Sequence, residues 1–287
     1  MRNTTVLVAL AVCCATQAQA GTSLSISGLA DSQDGTAFDA DIGFSPTGSW
    51  SLGAGVGRSD SQLTGADFSG TSLRFSGDVN VGAFNAGASL QRWKDSSQIT
   101  SVSTGGQIGW MADSGLSLGA IIDVRDMTVE YTARAIGGQT RAAEVEFTGT
   151  GLGVDVAYFG EQWNAGARFI DYSYGRSVDR VRAVLNAPTT QEFPRLQLLA
   201  ESIVTRAAAA PDRELSVTLG RNFTRASLRG DWILQRDALT QVDIHSLSLT
   251  HGYRFNKHLE LGTTLGFSGG DADDAIAFGG LSLTVRR

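Results

Sequence analysis

The sequence predicts an all-β fold, a single antiparallel up-and-down barrel of about fourteen strands, with twelve as the nearest other count, that turns its apolar side outward to lipid. Three observations carry this. From Leu24 to Val285, runs of about ten residues alternate apolar with polar, short Gly, Asp, Asn or Ser turns separate them, and an aromatic stands beside each short turn. In Leu73-Arg74-Phe75-Ser76-Gly77-Asp78-Val79-Asn80-Val81, a period of two puts Leu73, Phe75, Val79 and Val81 on one face and Arg74, Ser76, Asp78 and Asn80 on the other. A soluble sandwich, the rival fold, would turn apolar faces inward on bulky residues. Here the polar-parity positions are mostly Ser, Thr, Gly, Asp and Arg, a composition suited to a wet interior.

Ahead of the first strand, Met1-Arg2-Asn3, the apolar run Val6 to Val12 and the small-x-small Ala18-Gln19-Ala20 describe a secretory signal peptide, 1–20, cut between Ala20 and Gly21. The apolar run is too short to span a membrane as a helix, which takes about 20 residues. Cys13 and Cys14 suit a lipid-modified cysteine poorly, because Val12 stands where a small residue is wanted. Both leave with the signal, which removes disulfides and thiolate metal sites from residues 21–287. The formal charge of −6, from 23 Lys+Arg against 29 Asp+Glu, becomes −7 without Arg2 and argues against a nucleic-acid partner.

Alternating runs place strands at 22–30, 36–45, 49–58, 70–82, 84–93, 99–111, 115–131, 143–159, 163–174, 214–222, 225–236, 243–256, 258–268 and 274–286. Short links such as Ser45-Pro46-Thr47-Gly48, Gly82-Ala83 and Gly160-Glu161-Gln162 join even strands to odd ones. The connections leaving odd strands are longer, as at 59–69, 132–142 and 175–213. Phe44, Trp50, Phe84, Trp110, Phe159, Trp163, Phe223, Tyr253 and Phe255 flank the short turns, where amphipathic rings would meet lipid headgroups. The 175–213 loop holds a helical spacing, with Pro194 ahead of Leu196, Leu199 and Ile203 and Pro211 ending it; it is a candidate constriction or cap of the barrel mouth, or else an external loop.

On the signal, the fourteen-fold hairpin rhythm, the aromatic turns and the final alternation Leu281, Leu283, Val285, the chain resembles a bacterial outer-membrane β-barrel of the porin-like kind. It departs from that pattern in ending Arg286-Arg287 rather than on an aromatic. The resemblance implies Sec export to the outer membrane, contact with outer-membrane lipid, barrel assembly machinery and periplasmic chaperones as partners, and a monomer or weak homo-oligomer.

Opposite the apolar parity, Asp39, Asp41, Asp78, Asp123, Asp155, Asp231 and Glu260, with Arg74, Arg125, Arg168, Arg229 and Arg286, would line the lumen. Seven acids against five bases predict a weakly cation-preferring channel through which small polar solutes or ions diffuse passively, the same charges also bracing the wall as cross-strand pairs. No catalytic residue and no cofactor is expected. His245 and His251 share parity with Leu247 and Leu249, while Ser246 and Ser248 face the other way, so no nucleophile–base pair forms within that strand. Asp271-Ala272-Asp273-Asp274 has calcium-like spacing but lacks an EF-hand's Glu and mid-loop Gly, and reads as a solvated acidic loop with no metal. Gly53-Ala54-Gly55-Val56-Gly57 and Gly149-Thr150-Gly151-Leu152-Gly153 read as small lumen-side residues and bulges, the second because apolar parity switches there from Val145 and Phe147 to Leu152 and Val154. Two functions from other classes stand beside the channel: a non-conducting structural or adhesion barrel, and a lipid-modifying outer-membrane enzyme.

Overall fold

The computed structural model describes residues 21–32, 34–63, 66–95, 99–134, 140–175, 178–179, 210–238, 241–270 and 275–287. The signal peptide expected at 1–20, the helical spacing expected in the 175–213 loop and the acidic run Asp271–Asp274 lie outside them.

Fourteen antiparallel strands follow in chain order. They are β1 (Gly21–Asp31), β2 (Thr36–Ser45), β3 (Trp50–Leu63), β4 (Ala66–Val81), β5 (Phe84–Asp95), β6 (Ile99–Met111) and β7 (Leu116–Arg134), then β8 (Thr140–Phe159), β9 (Trp163–Tyr174), β10 (Pro211–Asn222), β11 (Ala226–Asp237), β12 (Asp243–Arg254), β13 (Leu259–Gly270) and β14 (Ile276–Arg286). Each pairs with its chain neighbours, and β1 pairs with β14 from Ser23↔Arg286 to Asp31↔Phe278, so the sheet closes and has no free edge. Left-handed glycines make the tight turns: Gly48, Gly82 and Gly115 have φ of 69°, 62° and 85°.

Outward residues form an apolar belt. On β7 it runs from Leu116 through Leu118 and Ile122 to Val124. Eight residue steps of about 3.4 Å, tilted by about 40°, give a height of about 20 Å, close to the apolar band of an outer-membrane barrel. At the short-turn end, Phe44 meets Trp50 edge to face at 5.7 Å, Tyr253 meets Phe255 at 5.1 Å, and the Arg221 guanidinium lies over Trp163 and Phe223 at 4.9 and 5.0 Å. These are amphipathic girdle groups, apolar rings capped by a polar head.

Three expectations are corrected. The β7–β8 register is unbroken from Leu116↔Tyr158 to Arg134↔Thr140, and β3 pairs without interruption on both sides, so neither glycine run is a bulge. The parity change on β8 has another cause. Above the belt the outward residues become polar (Asp126, Glu144, Glu146), while the inward ones become large and apolar (Met127, Phe147) and are buried. The strand has left lipid for water, so its amphipathicity inverts while its geometry continues. The same inversion occurs between Ile26 and Leu29, Leu90 and Trp93, Phe169 and Ile170, Leu247 and Ile244, and Leu281 and Phe278. For this reason the long connections expected at 59–69 and 132–142 are mostly strand. Pro211, expected to end a helix, opens β10, and the one register shift against β11 lies between Pro211 and Arg213, where Pro has no N–H to pair.

Candidate functional site

The barrel interior has two zones. At the short-turn end and through the belt the inward side chains are small, polar or charged. At the long-loop end, Leu29, Trp93, Ile99, Met127, Phe147, Ile170, Ile244, Ile276 and Phe278 form a buried apolar layer around the inner wall. The sequence reading of a uniformly polar interior missed this layer. The inversion of parity at the end of each apolar run was the signal for it.

In the polar zone the charges stand in groups. The Arg74 guanidinium on β4 reaches across β3 to Asp39 at 2.5 Å and to Asp41 at 3.0 Å, both on β2. It can do so because the β3 residues beneath it are glycines: a Cβ on Gly55 would meet Asp41, and one on Gly57 would meet Asp39 and the Ser72 hydroxyl. A second glycine strand works the same way. From β9, Tyr172 lies over Gly151 of β8 and donates its hydroxyl to the Asp123 carboxylate on β7 at 2.8 Å, with Arg125 3.7 Å from that carboxylate and 5.9 Å from the Tyr172 ring centroid. Tyr174 lies over Gly149, stacks on Tyr172 at 6.4 Å, and donates to the Pro211 carbonyl at 2.7 Å. Both glycine runs are thus gaps in the inner wall that let a side chain bridge two strands away.

The remaining groups are more local. Arg229 and Asp231, two apart on β11, pair at 2.8 Å, and Thr218 of β10 donates to the same carboxylate at 2.7 Å. Glu260 on β13 holds Arg286 at 2.7 Å and Arg254 at 3.9 Å, near the short-turn rim. Asp78 accepts a long 3.4 Å hydrogen bond from Ser51 and has no cation within ion-pair distance among the described residues. Asp155 and Arg168 are direct register partners on β8 and β9, yet no ion pair joins them. All twelve candidate charges lie on the parity opposite the lipid-facing residues. Arg254, Asp95, Glu214 and Asp237 share that parity and were not among the candidates; Asp95 and Asp237 fall just past the expected strand ends, whereas Arg254 and Glu214 could have been counted from Ser246 and Ser216. His245 and His251 project outward, and His258 Nδ1 lies 2.8 Å from the Arg286 carbonyl oxygen. Among the described residues no group of three or more His, Cys, Asp or Glu is arranged to hold a metal ion.

No protein-family model and no curated protein sequence matches this chain. Solved structures match at the level of fold. The chain is similar to the CymD monoaromatic hydrocarbon channel, with 12% identity over 94% of this chain and 88% of that one and a TM-score of 0.52. It is similar to the toluene transporter TbuX of Ralstonia pickettii, with 12% identity, 94% and 90% coverage and a TM-score of 0.52. It is also similar to OmpT of Vibrio cholerae, an outer-membrane protein, with 10% identity, 95% and 99% coverage and a TM-score of 0.50. The architecture is that of the bacterial outer-membrane β-barrels.

Proposed function

We propose that this barrel is an outer-membrane channel for passive diffusion of small polar solutes or ions, with a weak preference for cations. One observation carries the reading: the wall closes with fourteen strands, its outer belt apolar and the matching stretch of its inner wall polar and charged. Eight strands make a barrel that side chains just fill, so fourteen leave a lumen for water or for a loop. In this reading the twelve inner charges line the pore, 1–20 directs Sec export, lipid and the assembly machinery are its partners, and the barrel works as a monomer or weak homo-oligomer. Asp78 is the best probe of selectivity, since among the described residues no cation stands within ion-pair distance of it. In a planar bilayer the protein is expected to give discrete conductance steps, and Asp78→Asn to move the reversal potential toward lower cation preference. No steps, or no shift, would count against the reading.

The buried apolar layer at the loop end favours a second reading, in which the solute carries an apolar body. CymD, a monoaromatic hydrocarbon channel, and TbuX, a toluene transporter, are barrels of similar fold whose solutes are apolar. The barrel would then raise toluene uptake above that of protein-free vesicles by a larger factor than it raises uptake of a sugar of similar size, whereas the first reading predicts the reverse order of these factors.

A further inference from the structure

Outside the barrel, just above the apolar belt on the long-loop side, the outward charges are sorted by sign. On β7 to β9 the exposed outward residues include Asp126, Glu144, Glu146 and Asp171. On β3 and β5 they are Arg58, Arg92 and Lys94. Other outward cations at this level face acids: Arg236 pairs with Asp243 at 3.5 Å, and Arg213 has Asp171 as its register partner. Arg58 is joined to Asp60 at 3.1 Å with both side chains exposed, but Arg92 and Lys94 have no ion-pair partner among the described residues. A surplus of positive charge therefore sits on this one sector of the wall.

Its geometry is compact. Arg58, Thr71 and Lys94 form one row across β3, β4 and β5, so the two cations stand about 10 Å apart at a strand spacing of about 4.8 Å. Arg92 lies two residues nearer the belt on the same face of β5. Its register partner is Leu73, and Phe75 and Leu90 pair immediately below. All three of those apolar side chains are exposed. A molecule held by the cations would lie with its lower part against this apolar wall. Guanidinium and ammonium groups spaced in this way suit phosphate, which an Arg can engage through two parallel hydrogen bonds.

We infer that the outward face of β3–β5 above the belt binds the phosphate-bearing headgroup of an outer-leaflet glycolipid, whose acyl chains run down over Leu73, Phe75 and Leu90. The inference rests on the outer-membrane reading, with the long-loop end outside. It concerns the outer wall only, so it stands or falls separately from any property of the lumen. Among the described residues Asp60 is the one carboxylate ion-paired to these cations; Asp126, in the row Arg92–Val102–Asp126, stands two strands or about 10 Å from Arg92 and does not pair with it, and Thr71, Thr100 and Val102 carry no charge.

The test uses the whole exported chain refolded in detergent, titrated separately with bisphosphorylated lipid A, with its dephosphorylated form, and with inorganic phosphate as competitor. Each basic residue near a charged lipid surface contributes roughly a factor of five, so Arg92→Gln with Lys94→Gln is expected to weaken binding of the bisphosphorylated lipid about 25-fold. Arg213→Gln, outside the sector, is expected to change it by less than about twofold, and Arg92→Lys with Lys94→Arg to retain it. Heat-modifiable migration on a gel reports that each variant is folded, and insertion of the wild type into vesicles tests the membrane reading by itself. Equal binding of wild type and double variant, equal loss in Arg213→Gln, no preference for the phosphorylated lipid, or full competition by inorganic phosphate at the lipid's own concentration would each overturn the inference.

Discussion

Replacing Arg74 by Met removes the one cation that holds two carboxylates from across a glycine strand. The Asp39 side chain is 8% exposed, while those of Arg74 and Asp41 are 32% and 38% exposed. The Asp41 limb is open to lumen water and is worth about 0.5–1 kcal/mol, as exposed pairs are. Stranding a fully buried carboxylate costs about 3–5 kcal/mol, which falls to about 2 kcal/mol here because the Arg end of the pair is one-third solvated. Arg74→Met is therefore expected to destabilise the barrel by about 2.5–3 kcal/mol. The assay is urea unfolding from lipid vesicles, followed by the loss of heat-modifiable migration. Adding Asp39→Asn to Arg74→Met removes the stranded charge and is expected to recover at least half of the loss. A single variant within about 0.5 kcal/mol of wild type, or a double variant no more stable than the single, would refute the argument.

Two further substitutions test other parts of the wall. Phe75→Arg puts a charge on the exposed apolar belt and is expected to cost about 2–4 kcal/mol in the same unfolding assay, whereas Ser76→Arg, one residue along and facing inward, is expected to cost less than half as much. Gly151→Val drives a branched side chain into the Tyr172 ring and so breaks the hydrogen bond to Asp123. A loss of about 1–3 kcal/mol is expected, with Gly151→Val combined with Tyr172→Ala losing little more than Tyr172→Ala alone.

The number of strands, their order and most of their bounds were legible because turn residues and period-two alternation are local signals, and a strand read from Thr36 to Ser45 is a strand of those residues. Facing was legible wherever a strand stays in lipid, as on β4, where Leu73 and Phe75 contrast with Arg74 and Ser76. It failed where the strand emerges. At Phe147 the same alternation continues with the opposite face apolar, and without knowledge of the lipid boundary that looks like an inserted residue. The pairings of Arg74 with Asp39 and of Tyr172 with Asp123 were also out of reach, because each spans two strands and depends on what is missing from the strand between. The glycine runs were visible, but only the packed wall shows that their lack of a Cβ is used by side chains from either side.

The central claim is that β4 has lipid on one side and lumen water on the other, and single cysteines placed in turn from Leu73 to Asn80 test it most directly, with the two native cysteines, Cys13 and Cys14, both ahead of β1, replaced by Ser. With the barrel in vesicles, a charged, membrane-impermeant thiol reagent is expected to label positions 74, 76, 78 and 80 and to leave 73, 75 and 79 unlabelled. Labelling that ignores parity, or that favours the positions of Leu73, Phe75 and Val79, would contradict the account.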